Sequence, residues 1–168
     1  MITKSIVLIG MPGSGKTTVG KMLAKRLNID FCDTDDLIIK RTGVPLQETL
    51  DKHGKDVFLE TERSTLVDFL PANPMVIATG GSVVLHSDAM EHLKSFSTVV
   101  FLDADLPLIR KRLWNLDSRG IVFSDNEEDV LGVYREREPK YYQYSDIRIH
   151  IRGKRVNEIV REICDKLS

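Results

Sequence analysis

An apolar run followed by a glycine-rich turn lies near the start of the chain and constrains its fold more than any other feature. Ser5–Ile9 has the composition of a buried strand, and residues 10–17 (GMPGSGKT) match G-x-x-x-x-G-K-[ST] at every fixed position. The apolar spacing that follows predicts an amphipathic helix over Lys16–Leu27. A strand, a glycine turn and a helix in this order predict a phosphate cradle, because backbone N–H groups and the positive end of the helix face the anion.

The cradle predicts a nucleoside triphosphate bound together with Mg²⁺. Lys16 would reach the β- and γ-phosphates, and the Thr17 hydroxyl would ligate the metal. The other predicted nucleotide-binding residues of this segment are Gly10, Gly13, Ser14, Gly15 and Thr18. The motif alone does not separate a GTPase, a motor, a nucleotide kinase and a metabolite kinase. The guanine-reading N-K-x-D signature is absent, and 168 residues leave no room for motor or regulatory domains.

Four further apolar runs, separated by helical spacing, predict the rest of the fold. The expected strands are residues 30–34, 75–78, 98–102 and 146–151. The expected helices are residues 51–70, 106–113 and 156–167. Strands without strict alternation are typical of a parallel sheet covered on both faces. We therefore predict one three-layer α/β/α domain over residues 1–168, with a five-stranded parallel sheet.

Composition and charge exclude several classes of protein. Hydrophobic residues make up 42% and charged residues 29% of the chain, which excludes a disordered or fibrous protein. The net charge of −1 argues against nucleic acid or an anionic membrane as a partner. No apolar run is long enough for a signal peptide or a membrane span. We expect a cytoplasmic monomer, with its two cysteines reduced and its four histidines outside metal sites.

Two insertions and one acidic pair are the other candidate functional features. Residues 42–54 contain Gly43, Pro45 and Gly54, which are expected to separate shorter helices. Residues 115–126 are polar, contain glycine and predict a mobile flap, within a lid at about 113–126. Asp33 and Asp35 lie at the end of the second strand. Because they are two residues apart, their side chains would point the same way on an extended chain. One would hold the metal or its water and the other a substrate hydroxyl. A plain helix N-cap cluster explains the pair equally well.

Taken together, the motifs resemble the shikimate kinase family. The pattern runs G-x-P-G-x-G-K-[ST]-T-x-G, F-x-D-T-D, G-x-x-x-F-x-x-x-E, T-G-G and R-x-P-x-Y, in the family's order and spacing from Gly10 to the C-terminal helix. The resemblance implies a nucleoside monophosphate kinase-like fold with a closing lid. It also implies transfer of the γ-phosphoryl group of ATP, with Mg²⁺, to a hydroxyl of a small cyclic hydroxy-acid, best matched by shikimate.

The resemblance also assigns roles to individual residues. It makes Asp33 the aspartate on the metal side, and Asp35 the one that binds the acceptor hydroxyls and is a candidate to take the proton. It places an acceptor-binding region at about residues 33–62. Lys16, Asp35 and the lid arginine Arg119 are the implied catalytic residues. The remaining implied contacts are Gly80, Gly81, Ser82 and Arg137 for the acceptor, and Arg112, near adenine, together with Arg119 for the nucleotide.

Three positions depart from the family pattern. Leu59 stands where the family has an arginine that helps to bind the acceptor carboxylate. Ser82 replaces the usual third glycine and resists a positive φ, and Gly120 replaces a lid proline and loosens the flap. The loss of one charged hydrogen-bond partner costs roughly 1.5–3 kcal/mol, or about 10–150-fold in affinity.

The departure at Leu59 leaves the acceptor open at this stage. Shikimate is one hypothesis, with Arg63 or Lys55, one helical turn away, as a partial replacement for the missing arginine. Another small hydroxylated acid, amino acid or polyol is the second. A gluconate kinase-like or nucleotide kinase-like enzyme would keep the fold and change the acceptor. A non-catalytic ATP-binding module is the remaining alternative.

Overall fold

The computed structural model describes residues 2–114 and 127–168. Five parallel strands form one sheet in the order β2-β3-β1-β4-β5. They are β1 (Ser5–Ile9), β2 (Asp30–Asp33), β3 (Met75–Ala78), β4 (Ser97–Asp103) and β5 (Ile147–His150). The predicted five-stranded parallel sheet and α/β class are therefore confirmed, with strand ends within one residue of those expected. The predicted lid at 113–126 lies almost wholly outside the described residues, as do Arg119 and Gly120.

The helices connect the strands in the expected alternation. They are α1 (Lys16–Leu27), α2 (Thr34–Thr42), α3 (Leu46–Asp68), α4 (Ser87–Phe96), α5 (Leu106–Trp114), α6 (Glu127–Tyr144) and α7 (Val156–Leu167). The predicted bounds of α1 and α7 are confirmed. The prediction of a helix starting at residue 51 was wrong, because α3 begins at Leu46 and is interrupted at Gly54, whose φ is 82°. The sequence analysis assigned no bounds to α2, α4 or α6.

The core surrounds the central strand. All five residues of β1 are buried, which is what a strand covered on both faces requires. The edge strand β2 is only partly covered. Within the described part of the chain, no helix is both long enough and apolar enough to cross a membrane. Cys32 and Cys164 are free thiols and half-buried.

The close approach of α1 to the sheet depends on Gly20. A Cβ atom at this position would lie 2.6 Å from Cε2 of Phe31 and 3.3 Å from Cδ1 of Leu8. We expect Gly20→Ala to lower the free energy of unfolding by about 1–3 kcal/mol through overpacking. Gly132→Ala in α6, where a Cβ meets nothing within 4 Å, is the matched control and should raise stability by about 0.4–1 kcal/mol. Chemical denaturation of both variants measures the difference, and equal shifts would contradict this account of the packing.

Candidate functional site

A cavity lies beyond the carboxyl ends of β1, β2 and β3, where parallel α/β sheets bind ligands. Its lining comes from the glycine turn, the β2–α2 junction, α3, the loop after β3 and α6. The structure thus brings together most of the residues that the sequence analysis selected from distant parts of the chain. The predicted site residues that line the cavity are Gly13, Gly15, Lys16, Thr17, Thr18, Asp33, Asp35, Gly80, Gly81, Ser82 and Arg137.

The glycine turn holds Lys16 in a buried position at its centre. Gly13 and Gly15 have φ of 79° and 91°, which an L side chain rarely adopts. The Nζ of Lys16 donates to the carbonyl oxygens of Gly10 (2.8 Å) and Met11 (2.9 Å). Burial lowers the pKa of Lys16 to about 8, against the opposing effect of Asp35 and Asp33. A buried ammonium at the N-terminus of a helix is suited to bind phosphate oxygens.

Thr17 and Asp33 form an oxygen-rich corner of the same cavity. The Thr17 hydroxyl donates to Oδ2 of Asp33 at 2.7 Å. Oδ1 of Asp33 accepts a hydrogen bond from the backbone N–H of Asp35 at 3.0 Å, so Asp33 is also the N-cap of α2. The two interpretations of the acidic pair are therefore compatible. A hydroxyl and a carboxylate in contact are hard oxygen donors of the kind that Mg²⁺ prefers, so this corner fits the metal.

Asp35 lies in the first turn of α2, because β2 ends at Asp33. The expectation of an extended chain through both aspartates was therefore wrong, although both side chains line the cavity. The pKa of Asp35 is raised to about 6 by burial and by the nearby carboxylates of Asp33 and Glu62, while Lys16 acts in the opposite direction. A carboxylate with a pKa near 6 is ionised at neutral pH and is a better proton acceptor than an ordinary aspartate.

The loop after β3 forms the opposite wall. A Cβ at Gly80 would lie 2.8 Å from Oε2 of Glu62, and one at Gly81 would lie 2.5 Å from Cδ of Pro12, so both positions need glycine for space. Ser82 has φ −87°, an ordinary right-handed conformation. The expected strain at Ser82 is therefore absent, and its side chain instead donates to Oε1 of Glu62 at 2.7 Å.

Glu62 and Phe58 are cavity residues for which the sequence analysis proposed no role. Their side chains are buried, with 1% and 3% exposure, and they lie one helical turn apart on α3. Both are fixed positions of the G-x-x-x-F-x-x-x-E pattern, so the motif contained the signal. Glu62 was missed because a glutamate in a helix is normally solvated, and only the tertiary packing shows that this one is buried.

Arg137 lies on the α6 side of the cavity with 3% exposure. Arg135, Glu136 and Glu138 around it predict an ordinary exposed ion-pair helix as the alternative for Arg137, and the burial of its side chain shows that this alternative is wrong. Tyr141, one turn further along α6, is fully buried and stacks on Phe101 with ring centroids 5.1 Å apart. Its hydroxyl donates to the carbonyl oxygen of Gly81 at 2.6 Å, and burial raises its pKa. Tyr141 thereby joins α6 to the glycine loop.

Four predicted site residues within the described part of the chain are absent from the cavity lining, namely Gly10, Ser14, Leu59 and Arg112. The carbonyl oxygen of Gly10 accepts from the Lys16 Nζ, and Ser14 is buried with its Oγ 3.4 Å from that Nζ. Leu59 is half-buried on α3 and is not among the residues that line the cavity. Arg112 donates from Nη1 to the carbonyl oxygen of Gly13 at 2.9 Å, so it supports the glycine turn from α5. Neither proposed replacement cation faces the cavity, since Arg63 pairs with Glu60 and Asp88 on the surface and Lys55 is exposed.

Comparison with known proteins agrees with this geometry. The family model described as shikimate kinase matches residues 12–168. A protein named shikimate kinase from Moorella thermoacetica is 38% identical over 164 residues, covering 98% of this chain and 94% of its own length. Another of that name, from Caldanaerobacter subterraneus, is 34% identical over 95% of this chain and 94% of its own length.

Solved structures give the same result. A shikimate kinase from Acinetobacter baumannii in complex with shikimate superposes with a TM-score of 0.90 at 27% identity, covering 98% of this chain and 92% of that one. Shikimate kinase from Aquifex aeolicus superposes with a TM-score of 0.83 at 32% identity, over 97% and 95% of the two chains. A gluconokinase from Sinorhizobium meliloti shares the fold at 19% identity. With the motifs, the cavity and these relatives in agreement, the chain belongs to the shikimate kinase family.

Proposed function

We propose that this protein transfers the γ-phosphoryl group of ATP to a hydroxyl of shikimate, through the residues of the cavity. The strongest support for this proposal is that Lys16, Asp35 and Arg137 line the same cavity. A cation for phosphates, a carboxylate for a hydroxyl and a guanidinium for a carboxylate match the chemical groups of ATP and a hydroxy-acid.

Each cavity residue has a separate role in phosphoryl transfer. Lys16 binds the β- and γ-phosphate oxygens and balances the charge that moves toward ADP. Asp35 accepts a hydrogen bond from the attacking hydroxyl and takes its proton as the new O–P bond forms and the bond to the β–γ bridging oxygen breaks. Arg137 binds the acceptor carboxylate, and the Gly80–Gly81 backbone contacts the ring. Arg119, outside the described residues, is proposed to bring a further positive charge when the lid closes.

Thr17 and Asp33 would hold the magnesium ion, directly or through its water. When bound, Mg²⁺ neutralises phosphate charge during transfer. Asp33→Asn keeps an N-cap oxygen for α2 but removes the negative charge. We expect the Mg²⁺ concentration at half-maximal rate to rise by roughly 10–100-fold, with little change in the melting temperature. Magnesium titrations at saturating ATP and acceptor measure this. An unchanged half-saturation would place the metal elsewhere.

The acceptor is tested by comparing initial rates of ADP formation with shikimate, other hydroxylated acids, amino acids and polyols. We expect shikimate to be the best acceptor. Negligible turnover of shikimate beside rapid turnover of another compound would assign a different acceptor. Tight ATP binding with no turnover in the whole panel would instead indicate a non-catalytic nucleotide-binding protein.

We also propose that the protein works in the cytoplasm as a monomer. The cavity is assembled from segments of one chain, and the net charge of −1 offers no attraction for nucleic acid or an anionic membrane. Light scattering of the purified protein, with and without ATP, checks the oligomeric state. A stable dimer would contradict the proposal.

A further inference from the structure

Glu62 connects two of the three departures from the family pattern. Its side chain is 1% exposed, and a buried carboxylate needs hydrogen-bond donors. Oε1 accepts from the Ser82 hydroxyl at 2.7 Å and lies 3.0 Å from Nε2 of His86. An imidazole that carries its proton on Nε2 donates to the carboxylate in this contact. Ser82, which replaces a glycine of the family pattern, is thus a hydrogen-bond donor to Glu62.

Leu59 precedes Glu62 by three residues on the unbroken part of α3. Side chains three apart on a helix are neighbours, so an arginine at position 59 would be within reach of the Glu62 carboxylate. Leucine has no donor. In this protein, Ser82 and His86, in the segment after β3, both contact Glu62, and the His86 side chain is 9% exposed.

The other face of Glu62 belongs to the cavity wall. Oε2 lies against Gly80, at 2.8 Å from the point where a Cβ would stand. The same loop is held by Tyr141 at the Gly81 carbonyl and by Thr79, whose hydroxyl donates to the Leu8 carbonyl at 2.9 Å. Movement of Glu62 would therefore change the shape and the charge of the wall beside Asp35.

We propose that Ser82 and His86 are positioning residues for the acceptor site, which act through Glu62 and compensate for the donor lost at Leu59. They hold in place a carboxylate of the cavity wall, whose displacement would change the shape and the charge that an anionic acceptor meets. The phosphate cradle around Lys16 does not contain these side chains, so the effect is expected on acceptor binding rather than on ATP binding. This inference rests on the proposed function, in that the acceptor carries a carboxylate.

The test is a cycle of variants that removes the two donors and restores one at position 59. In Ser82→Ala/His86→Leu we expect the KM for shikimate to rise by about 10–100-fold, because donors to a buried charge are lost. The KM for ATP should change less than about twofold. Adding Leu59→Arg to this variant should recover most of the loss, whereas Leu59→Arg in the wild type should change the KM for shikimate by much less.

The exposed pair Ser95→Ala/His150→Leu is the matched control for the same two substitutions, and it should behave as the wild type. The melting temperatures of the same variants are measured as well, because this measurement needs no substrate. A wild type that fails to turn over shikimate refutes the proposed function, while non-additive melting temperatures would still support the contact network. Equal effects of Leu59→Arg in both backgrounds would overturn the compensation. An unchanged KM for shikimate in the donor-deficient variant would overturn the positioning role.

Discussion

We expect Lys16→Met to lower kcat by roughly 100–1,000-fold, because it removes a positive charge from the place where phosphoryl transfer develops charge. The Nζ is held by two carbonyl oxygens of the glycine turn and lies 3.4 Å from Oγ of Ser14, at the N-terminus of α1. Steady-state rates of ADP formation at saturating ATP and acceptor measure the change.

The fold should survive this substitution. Burial lowers the pKa of Lys16 to about 8, so below that pH the folded state holds an ammonium at a cost. The cost disappears as the pH rises through 8 toward the ordinary lysine value, and methionine removes it at every pH. Lys25→Met, exposed on the same helix, has the same charge change and should retain full activity. Loss of activity in both variants would contradict a specific role for Lys16.

We expect Asp35→Asn to lower kcat/KM by roughly 100–10,000-fold, the range expected for the loss of a general base. In the wild type, kcat/KM should be constant from about pH 6 to about pH 8, where Lys16 begins to lose its proton, and should fall by about tenfold per pH unit below pH 6, because burial and Asp33 raise the pKa of Asp35 to about 6. In Asp35→Asn that acidic limb should vanish. Asp36→Asn, on the exposed side of α2, is the control and should keep both the rate and the limb.

The stability of Asp35→Asn shows whether its loss of activity reflects the missing carboxylate or a disturbed fold. Because the folded-state pKa is raised, the favourable contribution of the protonated carboxyl is present at low pH and is lost as the pH rises through 6. Above that pH, asparagine avoids the cost of a buried charge. We therefore expect the melting temperature of the variant to equal or exceed that of the wild type at pH 8. An acidic limb that persists in Asp35→Asn would assign the titration to another group.

The sequence motifs predicted the residues of the cavity more completely than they predicted the helices around it. Fixed spacings selected Lys16, Thr17, Asp33 and Asp35, and all four line the cavity, because they follow strand ends and the ends of parallel strands meet at one edge. Glu62 was not selected, since its burial depends on α3 packing against a loop that is distant in sequence.

Strain at Ser82 was an incorrect expectation for a related reason. The replacement of glycine by serine indicated a backbone problem, but backbone angles follow from the whole loop, and the observed φ of −87° is ordinary. The missing arginine at Leu59 is likewise interpreted differently in the structure, because Ser82 and His86 contact the Glu62 carboxylate that an arginine at position 59 could reach. Substitutions that look independent in a sequence are coupled when they share a buried partner.

The sequence by itself determined the family, the strand–turn–helix cradle and the parallel sheet, because these depend on local patterns such as glycine spacing, apolar runs and cap residues. Only the tertiary structure decided which charges are buried, which carboxylates face one another and which segment supplies the donors to Glu62. Burial and charge proximity arise from contacts between segments far apart along the chain, and no local pattern records them.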